Sequence, residues 1–335
     1  IMESLREMDQ APSISCFGAL VCACARAGDI REAERWAIEL LVRPDVRQAN
    51  VICFNMLISA CAKAGDDVKA ESWLERMQAA AVEPDTMSFN AVIAACAHVG
   101  NVKRAEHWFG QLGQANLVPN LVSHSSVLHA CAKAGNLSKA EQWLERTQAS
   151  GLEPNAICYN AVIHACTECG DGERAIFWLN RMAARGVKPT VRSYGTIMDL
   201  LAKSGDVEAA ERWLFGMLEM GIEADAVSYN MLLGAYCKSS DAAKARALYE
   251  RMRSTSVTPN TLFFNMLMNL HAQRGDILGA ATWLKEMRQL GIEADKVSLN
   301  IAVKVLKRGS EATGVGMICE ELRAAGFLLG GAVFR

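Results

Sequence analysis

The sequence predicts an all-α protein, a right-handed α-solenoid of about nine 35-residue helix-turn-helix repeats. The first indication is that tryptophan recurs at intervals of 35 residues, at Trp73, Trp108, Trp143, Trp178 and Trp213. Glycine follows the same period at Gly65, Gly100, Gly135, Gly170, Gly205 and Gly275. Proline does so at Pro84, Pro119, Pro154, Pro189 and Pro259. A fixed internal period of this length is typical of proteins built from stacked helical repeats.

The period divides the 335 residues without leaving room for a separate domain. We expect residues 1–13 to be the end of a preceding repeat and residues 331–335 to be a short tail. Because the chain opens on Ile1 rather than Met, we expect it to be part of a longer chain. The predicted repeats 1 to 9 are 14–50, 51–85, 86–120, 121–155, 156–190, 191–225, 226–260, 261–295 and 296–330.

Each repeat contains the start and stop signals of two helices. Glycine at position 15 favours a left-handed residue that ends the first helix. Asp or Asn at position 16 and Asp, Asn or Thr at position 35 are good N-caps for the two helices. In repeat 3 these signals predict helices over about 86–98 and 102–112. The tryptophan at position 23 is expected in the core between them.

Composition narrows the classes of function. Hydrophobic residues make up 51% of the chain and the formal net charge is −2, which excludes a disordered or generally polybasic protein. No apolar run is long enough for a membrane span. Five of the twelve cysteines share one phase in alanine-rich runs, which favours reduced thiols used as small apolar residues. Cys166 and Cys169 form the only C-x-x-C pair, and we expect no metal site.

Asparagine at position 5 is not explained by helix formation, because it is unfavourable inside a helix relative to alanine. Two interpretations are open. The amides form hydrogen bonds between repeats and fix their stacking, or they form a row that faces a ligand. The residues are Asn55, Asn90, Asn160, Asn230, Asn265 and Asn300.

Two further positions share the helical face of position 5, because positions 2, 5, 9 and 13 fall within about 80° of one another. Position 2 is apolar in Ile52, Met87, Val122, Ile157, Val227, Leu262 and Val297. Position 13 is basic in Arg26, Lys63, Lys133, Lys203, Lys238 and Arg308. Taken singly, the first row is equally typical of a core and the second of helix C-termini. Together they suit single-stranded nucleic acid, with apolar residues between bases and cations on phosphates.

At these positions the sequence closely resembles the pentatricopeptide-repeat family, as in the repeats 51–85 and 226–260. The uniform 35-residue period resembles the family's P-type subclass. The resemblance implies single-stranded RNA binding in a mitochondrion or plastid, with one base per repeat read by positions 5 and 35. It implies no cofactor.

The chemistry of the bases supports the same two positions. U and G present a ring N–H, which Asp at position 35 can accept, whereas C and A present a bare ring nitrogen to which Asn can donate. At position 5, Asn fills the space left by a pyrimidine, and Ser or Gly leaves room for a purine. The pairs are Asn55 and Asp85 (U), Asn90 and Asn120 (C, with U tolerated), Ser125 and Asn155 (A), Asn160 and Thr190 (a pyrimidine, Y), Gly195 and Asp225 (G), Asn230 and Asn260 (C or U), and Asn265 and Asp295 (U).

Repeats 2 to 8 therefore predict a target near 5′-UCAYGCU-3′, and repeats 1 and 9 do not fit the code. The alternative function is a structural or scaffold subunit of an organellar ribosome or another large complex, which binds rRNA or protein through the solenoid. An enzyme is not expected, because no phosphate-binding glycine loop or nucleophile motif is present. His129 and His164 share position 9 and are expected to line the groove rather than bind a metal.

Overall fold

The computed structural model describes residues 14–41, 50–308 and 315–320. These residues form helices joined by short turns, and residues 315–320 are also helical. The first helices of repeats 1 to 9 span Ile14–Ala27, Asn50–Lys63, Thr86–Val99, Leu121–Lys133, Ala156–Glu168, Val191–Ser204, Ala226–Lys238, Thr261–Gln273 and Lys296–Arg308. The second helices of repeats 1 to 8 span Ile30–Leu41, Asp67–Ala79, Val102–Gln114, Leu137–Ala149, Gly172–Ala184, Val207–Glu219, Ala242–Arg253 and Ile277–Gln289.

The predicted caps at positions 16 and 35 are present. Asp66 accepts from the Lys69 N–H at 2.9 Å at the start of a second helix. Asp85 accepts from the Ser88 N–H at 2.8 Å at the start of a first helix. The residue at position 15 is left-handed, with φ +76° at Gly100, and Ser240 adopts φ +57° where repeat 7 lacks the glycine. These signals are local, so each repeat specifies its own two helices.

The helices pack into two compact bodies, with the boundary between Lys188 and Pro189. The first helices of repeats 1 to 8 pack against their own second helices, and within each body neighbouring first helices pack against each other. Alanine, cysteine and branched residues of the first helices meet in these contacts and are almost fully buried. The predicted all-α fold of tandem helix pairs is confirmed for the described residues.

The tryptophan stripe lies in the core, as predicted, but it also makes a polar contact. The indole N–H of Trp108 donates to Glu71 Oε1 of the preceding repeat at 2.8 Å. The indole of Trp143 donates to Glu106 at 3.0 Å, and Lys139 pairs with the same carboxylate at 2.5 Å. The acidic side chains of the second helices are therefore used in stacking one repeat on the next.

Candidate nucleic-acid interface

The apolar side chains at position 2 lie on the surface rather than in the core. Their exposed fractions run from 53% to 70%, in Ile52, Met87, Val122, Ile157, Val227, Leu262 and Val297. Position 2 lies in the first turn of the first helix, close to the cap in sequence. A row of large apolar residues exposed at one phase is not explained by packing, since the same helices bury their other apolar residues.

The asparagines at position 5 form hydrogen bonds across the junction between repeats. Asn55 Nδ2 donates to Asp85 Oδ1 at 3.1 Å, at the end of the same repeat. Asn55 Oδ1 accepts from the hydroxyl of Ser88 in the next repeat at 2.6 Å. The same two contacts are made by Asn90 with Asn120 and Ser123, at 3.3 and 2.6 Å, and by Asn265 with Asp295 and Ser298, at 3.1 and 2.6 Å.

Asn55, Asn90 and Asn265 therefore form the hydrogen bonds between repeats that were the first of the two interpretations of position 5. Asn90 and Asn265 are only 8% and 5% exposed. Asn230 Nδ2 lies farther from Asn260 Oδ1, at 3.5 Å. Each Nδ2 carries two protons and donates one of them to position 35. An amide in the junction thus keeps a second donor, and the two interpretations are compatible.

The caps at position 35 fix which atom of the side chain remains for a ligand. Asn155 Oδ1 accepts from the N–H groups of Ile157 and Cys158 at 3.0 and 3.2 Å. A backbone N–H can only donate, so the oxygen must face the helix and the NH₂ group is not used by the cap. The same argument applies to Asn120, whose Oδ1 also faces two backbone N–H groups. Asn155 and Asn120 are exposed.

Aspartate at position 35 keeps an oxygen instead of an NH₂ group. Asp225 Oδ1 accepts from the Ser228 N–H at 2.8 Å, which leaves Oδ2 outside the cap. Burial raises the pKa of Asp85, but hydrogen bonds from Ser88 and Asn55 outweigh it and hold the pKa below its usual value. The pKa of Asp295 is lowered chiefly by the hydrogen bond from the Ser298 N–H. Both carboxylates are therefore acceptors at neutral pH.

Two repeats differ at position 5. Ser125 is half-buried, and its hydroxyl donates to Val122 O at 3.0 Å within its own helix. Gly195 is buried, and a Cβ added there meets no heavy atom within 4 Å. Repeat 6 thus has an open space at the position that asparagine fills elsewhere. It also has Arg192 at position 2, where repeats 2 to 5 and 7 to 9 have an apolar residue. Thr190 accepts from the Ser193 N–H at 3.4 Å at the end of repeat 5.

The five cations at position 13 whose side chains are described are exposed, as expected for the last turn of a first helix. Arg26, Lys63 and Lys133 form no ion pair within the described ranges. Lys203 pairs with Asp199 at 2.6 Å, and Lys238 donates to Ala202 O at 3.1 Å. Lys203 and Lys238 thus have partners within the protein, whereas repeats 3, 5 and 8 have no Lys or Arg at position 13.

Some predicted features lie outside the described residues. These are residues 1–13, the tail 331–335 and the side chain of Arg308. The side chain of Asn50 and all of Gly330, at position 35 of repeats 1 and 9, also lie outside them. Among the described residues no group of three or more His, Cys, Asp or Glu side chains could hold a metal ion. None of the described helices is both long and apolar enough to cross a membrane.

Both histidines at position 9 lie close to other side chains. The ring of His129 packs edge-on against His98, with centroids 6.0 Å apart, and His164 Nε2 lies 3.8 Å from Glu168 Oε1.

Sequence reasoning missed the serine at position 3, which connects the cap to the asparagine of the preceding repeat. Its recurrence two residues before position 5 was the available signal, as in Ser88, Ser123, Ser193, Ser228 and Ser298.

Comparisons with known proteins agree with this arrangement. A model described as the pentacotripeptide-repeat region of PRORP matches residues 6–182, one described as a pentatricopeptide repeat-containing protein matches 123–252, and a PPR repeat model matches 263–292. No curated protein matches the sequence significantly.

Among solved structures, the pentatricopeptide repeat protein PPR10 from maize is similar, with a TM-score of 0.69 and 23% identity over 95% of this chain and 45% of that chain. The same protein in complex with an 18-nt psaJ RNA element gives a TM-score of 0.52 and 23% identity over 90% of this chain and 47% of that chain. This chain thus spans less than half the length of PPR10. Because the first family model covers more than half of the chain, the protein belongs to the pentatricopeptide-repeat family.

Proposed function

We propose that this protein binds single-stranded RNA in a sequence-specific manner, with one base per repeat. The observation that carries the proposal is the exposed apolar row at position 2, which lies beside the capping side chains at position 35. Apolar side chains spaced by one repeat are suited to separate successive unpaired bases, which have hydrophobic faces whatever their sequence. The similar fold of PPR10, whose structure includes an RNA element, supports this function.

Base selection follows from the hydrogen-bonding groups left free by the caps. A pyrimidine presents an oxygen acceptor, O2, next to its ring nitrogen N3. The spare N–H of a position-5 asparagine matches that O2, whereas Asp or Asn at position 35 matches the protonated N3 of U or the bare N3 of C. Where position 5 is Ser125 or Gly195, the additional space admits a purine. The proposed target remains 5′-UCAYGCU-3′, read by repeats 2 to 8.

We assign binding rather than catalysis to the array, and we place its RNA in a mitochondrion or plastid, where it would be stabilised, processed or translated. The exposed lysines at position 13 contact phosphates in this proposal. The alternative is a structural subunit of an organellar complex. It draws on the asparagine contacts between repeats, which would also serve a protein that only needs a fixed shape.

The apolar row provides a test that separates the two functions. In the full 335-residue chain, Ile52 and Met87 are changed together to serine, and binding to a single-stranded RNA and to the same RNA in a duplex is measured. We expect tight binding of the single strand only, and a loss of at least about tenfold in the double variant, because a stacking contact contributes about 1–3 kcal/mol per base. A matched control is Val118→Ser, since Val118 is 81% exposed but lies outside the row.

Equal binding of single-stranded and duplex RNA, or equal losses in the row variant and the control, would contradict RNA reading by this face. Purified protein without bound nucleic acid, together with no affinity for any RNA, would favour a structural subunit bound through protein contacts.

A further inference from the structure

The hydrogen bonds around position 5 differ between two repeats that carry the same pair of reading residues. Repeat 3 has Asn90 and Asn120, and repeat 7 has Asn230 and Asn260. Both pairs are expected to select a pyrimidine with a bare ring nitrogen. The repeats that follow them differ at position 3, where one has Ser123 and the other Phe263.

In repeat 3 both atoms of the amide are engaged. Asn90 Nδ2 donates to Asn120 Oδ1 at 3.3 Å, and Asn90 Oδ1 accepts from the Ser123 hydroxyl at 2.6 Å. Ser123 is fully buried, so this hydroxyl is held within the junction. Since the hydroxyl has one proton and its oxygen accepts from the Asn120 N–H at 3.1 Å, it donates to the amide in the shorter contact.

In repeat 7 the second contact is missing. Phe263 has no hydroxyl, and no described residue donates a hydrogen bond to Asn230 Oδ1, although this atom is buried. The remaining contact, from Asn230 Nδ2 to Asn260 Oδ1, is the longest of the four at 3.5 Å. A buried amide oxygen without a donor is unfavourable, so Asn230 is held by one long hydrogen bond where Asn90 is held by two.

A third repeat shows what the serine does when no asparagine is present. Position 5 of repeat 6 is Gly195, and the hydroxyl of Ser228 donates to Asp225 Oδ1 at 2.8 Å. The serine therefore belongs to the cap in every case. Where position 5 is asparagine, the same hydroxyl instead makes its shorter contact with the amide.

We propose that the serine at position 3 is a positioning residue that orients the asparagine of the preceding repeat and thereby sharpens the choice of pyrimidine over purine. With the amide fixed, only an N–H remains for the base, which suits the O2 of a pyrimidine. A rotated amide presents its oxygen, which accepts from the exocyclic NH₂ group of guanine. Repeats 2, 3 and 8, which have Ser88, Ser123 and Ser298 after them, are therefore selective, and repeat 7 is permissive. This inference rests on the proposed RNA-binding function.

The test compares the second and sixth bases of the heptamer, which face repeats 3 and 7 at equal distances from the two ends. Binding of the 335-residue chain to 5′-UCAUGCU-3′ is compared with binding to RNAs carrying G at the second or the sixth base. We expect the penalty for G to be about fivefold larger at the second base, roughly 1 kcal/mol at 1.4 kcal/mol per tenfold.

Variants of Ser123 connect this difference to the hydroxyl. Ser123→Cys places there the residue that repeats 2 and 5 already have at position 3, as in the fully buried Cys158, so it fits the site. It should lower the penalty at the second base to the value at the sixth and leave the sixth unchanged. Ser123→Thr keeps a hydroxyl and should retain the parent penalty. Thermal unfolding of both variants identifies any loss of fold.

A measurement without RNA tests the orientation itself. NMR spectra of the side-chain amides should show slower solvent exchange for Asn90 than for Asn230, and Ser123→Cys should remove that difference. Equal exchange in the parent protein would overturn the proposal.

The two levels of failure are distinguishable. If the parent prefers the heptamer over scrambled RNA but the G penalties at the two bases are equal, the role of the serine is wrong and the proposed function stands. If the parent shows no preference at all, the proposed function fails, and the effect of the serine on specificity fails with it.

Discussion

Exchanging Asn155 for aspartate should change the base selected by repeat 4 from A to G. Asn155 Oδ1 accepts two backbone N–H groups at 3.0 and 3.2 Å, and aspartate can make both contacts with one oxygen. The cap is therefore retained, and the stability should change by less than about 1 kcal/mol, because Asn and Asp are similar N-caps. The group left outside the cap changes from an NH₂ donor to an oxygen acceptor.

The size of the expected effect follows from that reversal. A base contact in direct readout contributes about 1–3 kcal/mol, which corresponds to a shift in preference of about 5- to 140-fold. Fluorescence anisotropy with labelled 5′-UCAUGCU-3′ and 5′-UCGUGCU-3′, at one stated salt concentration, measures it. The parent should prefer the first RNA and Asn155→Asp the second.

The same repeat offers a matched control. Asn136 caps the second helix, where its Oδ1 accepts from the Lys139 N–H at 3.1 Å. Asn136→Asp adds the same negative charge and keeps a cap, but lies at position 16. It should weaken both RNAs alike, through charge alone. An unchanged preference in Asn155→Asp, or an equal shift in the control, would refute base reading by position 35.

Three further predictions concern charge, thiols and pH. Replacing the position-13 lysines with alanine should weaken binding to all RNAs equally. It should also reduce the slope of log affinity against log salt concentration by about 3, at about 0.7 per phosphate contact. A change in sequence preference would contradict this prediction. The residues are Lys63, Lys133, Lys203 and Lys238. Burial raises the pKa of the Cys96 and Cys131 thiols to about 12. At about pH 8, iodoacetamide should therefore label the exposed Cys169 before either of them, as mapped by mass spectrometry. Early labelling of Cys96 and Cys131 would contradict their packing. The pKa of Asp85 is lower in the folded protein than in the unfolded chain, where it is about 3.9. The ionised carboxylate therefore stabilises the fold above about pH 3.9, and this stabilisation is lost as the pH falls through the folded pKa. The Asp85→Asn variant should therefore lose less stability than the parent between about pH 5 and 3, as measured by thermal unfolding. A steeper loss in the variant would contradict the assignment.

Much of the fold was predictable from the sequence because its signals are local. Gly100 and Asn101 end one helix and begin the next through contacts within a few residues, and the structure places both as expected. The period then repeats these signals along the chain. The left-handed Ser240 was not predictable from composition, since repeat 7 keeps the turn without its glycine.

The candidate site was less predictable, because exposure and partners depend on the neighbouring repeat. The sequence left position 2 open between core and surface, and only packing shows that Met87 is 69% exposed. The sequence also presented the hydrogen bond between repeats and the contact with a ligand as alternatives for Asn90, and the structure makes the two compatible. The recurrence of serine at position 3 marks Ser123 in the sequence but not its partner, because the contact spans 33 residues. The absence of that contact at Phe263 becomes informative only when Asn230 Oδ1 is seen without a donor.

The central claim is that the exposed face of the first helices reads an unpaired RNA, one base for each repeat. Its most direct test is the affinity of the full 335-residue chain for 5′-UCAUGCU-3′ and for RNAs of the same composition scrambled at four or more bases. At about 1–3 kcal/mol per mismatch, we predict that scrambling weakens binding by more than about a hundredfold. Equal affinity for the ordered and scrambled RNAs would contradict the account.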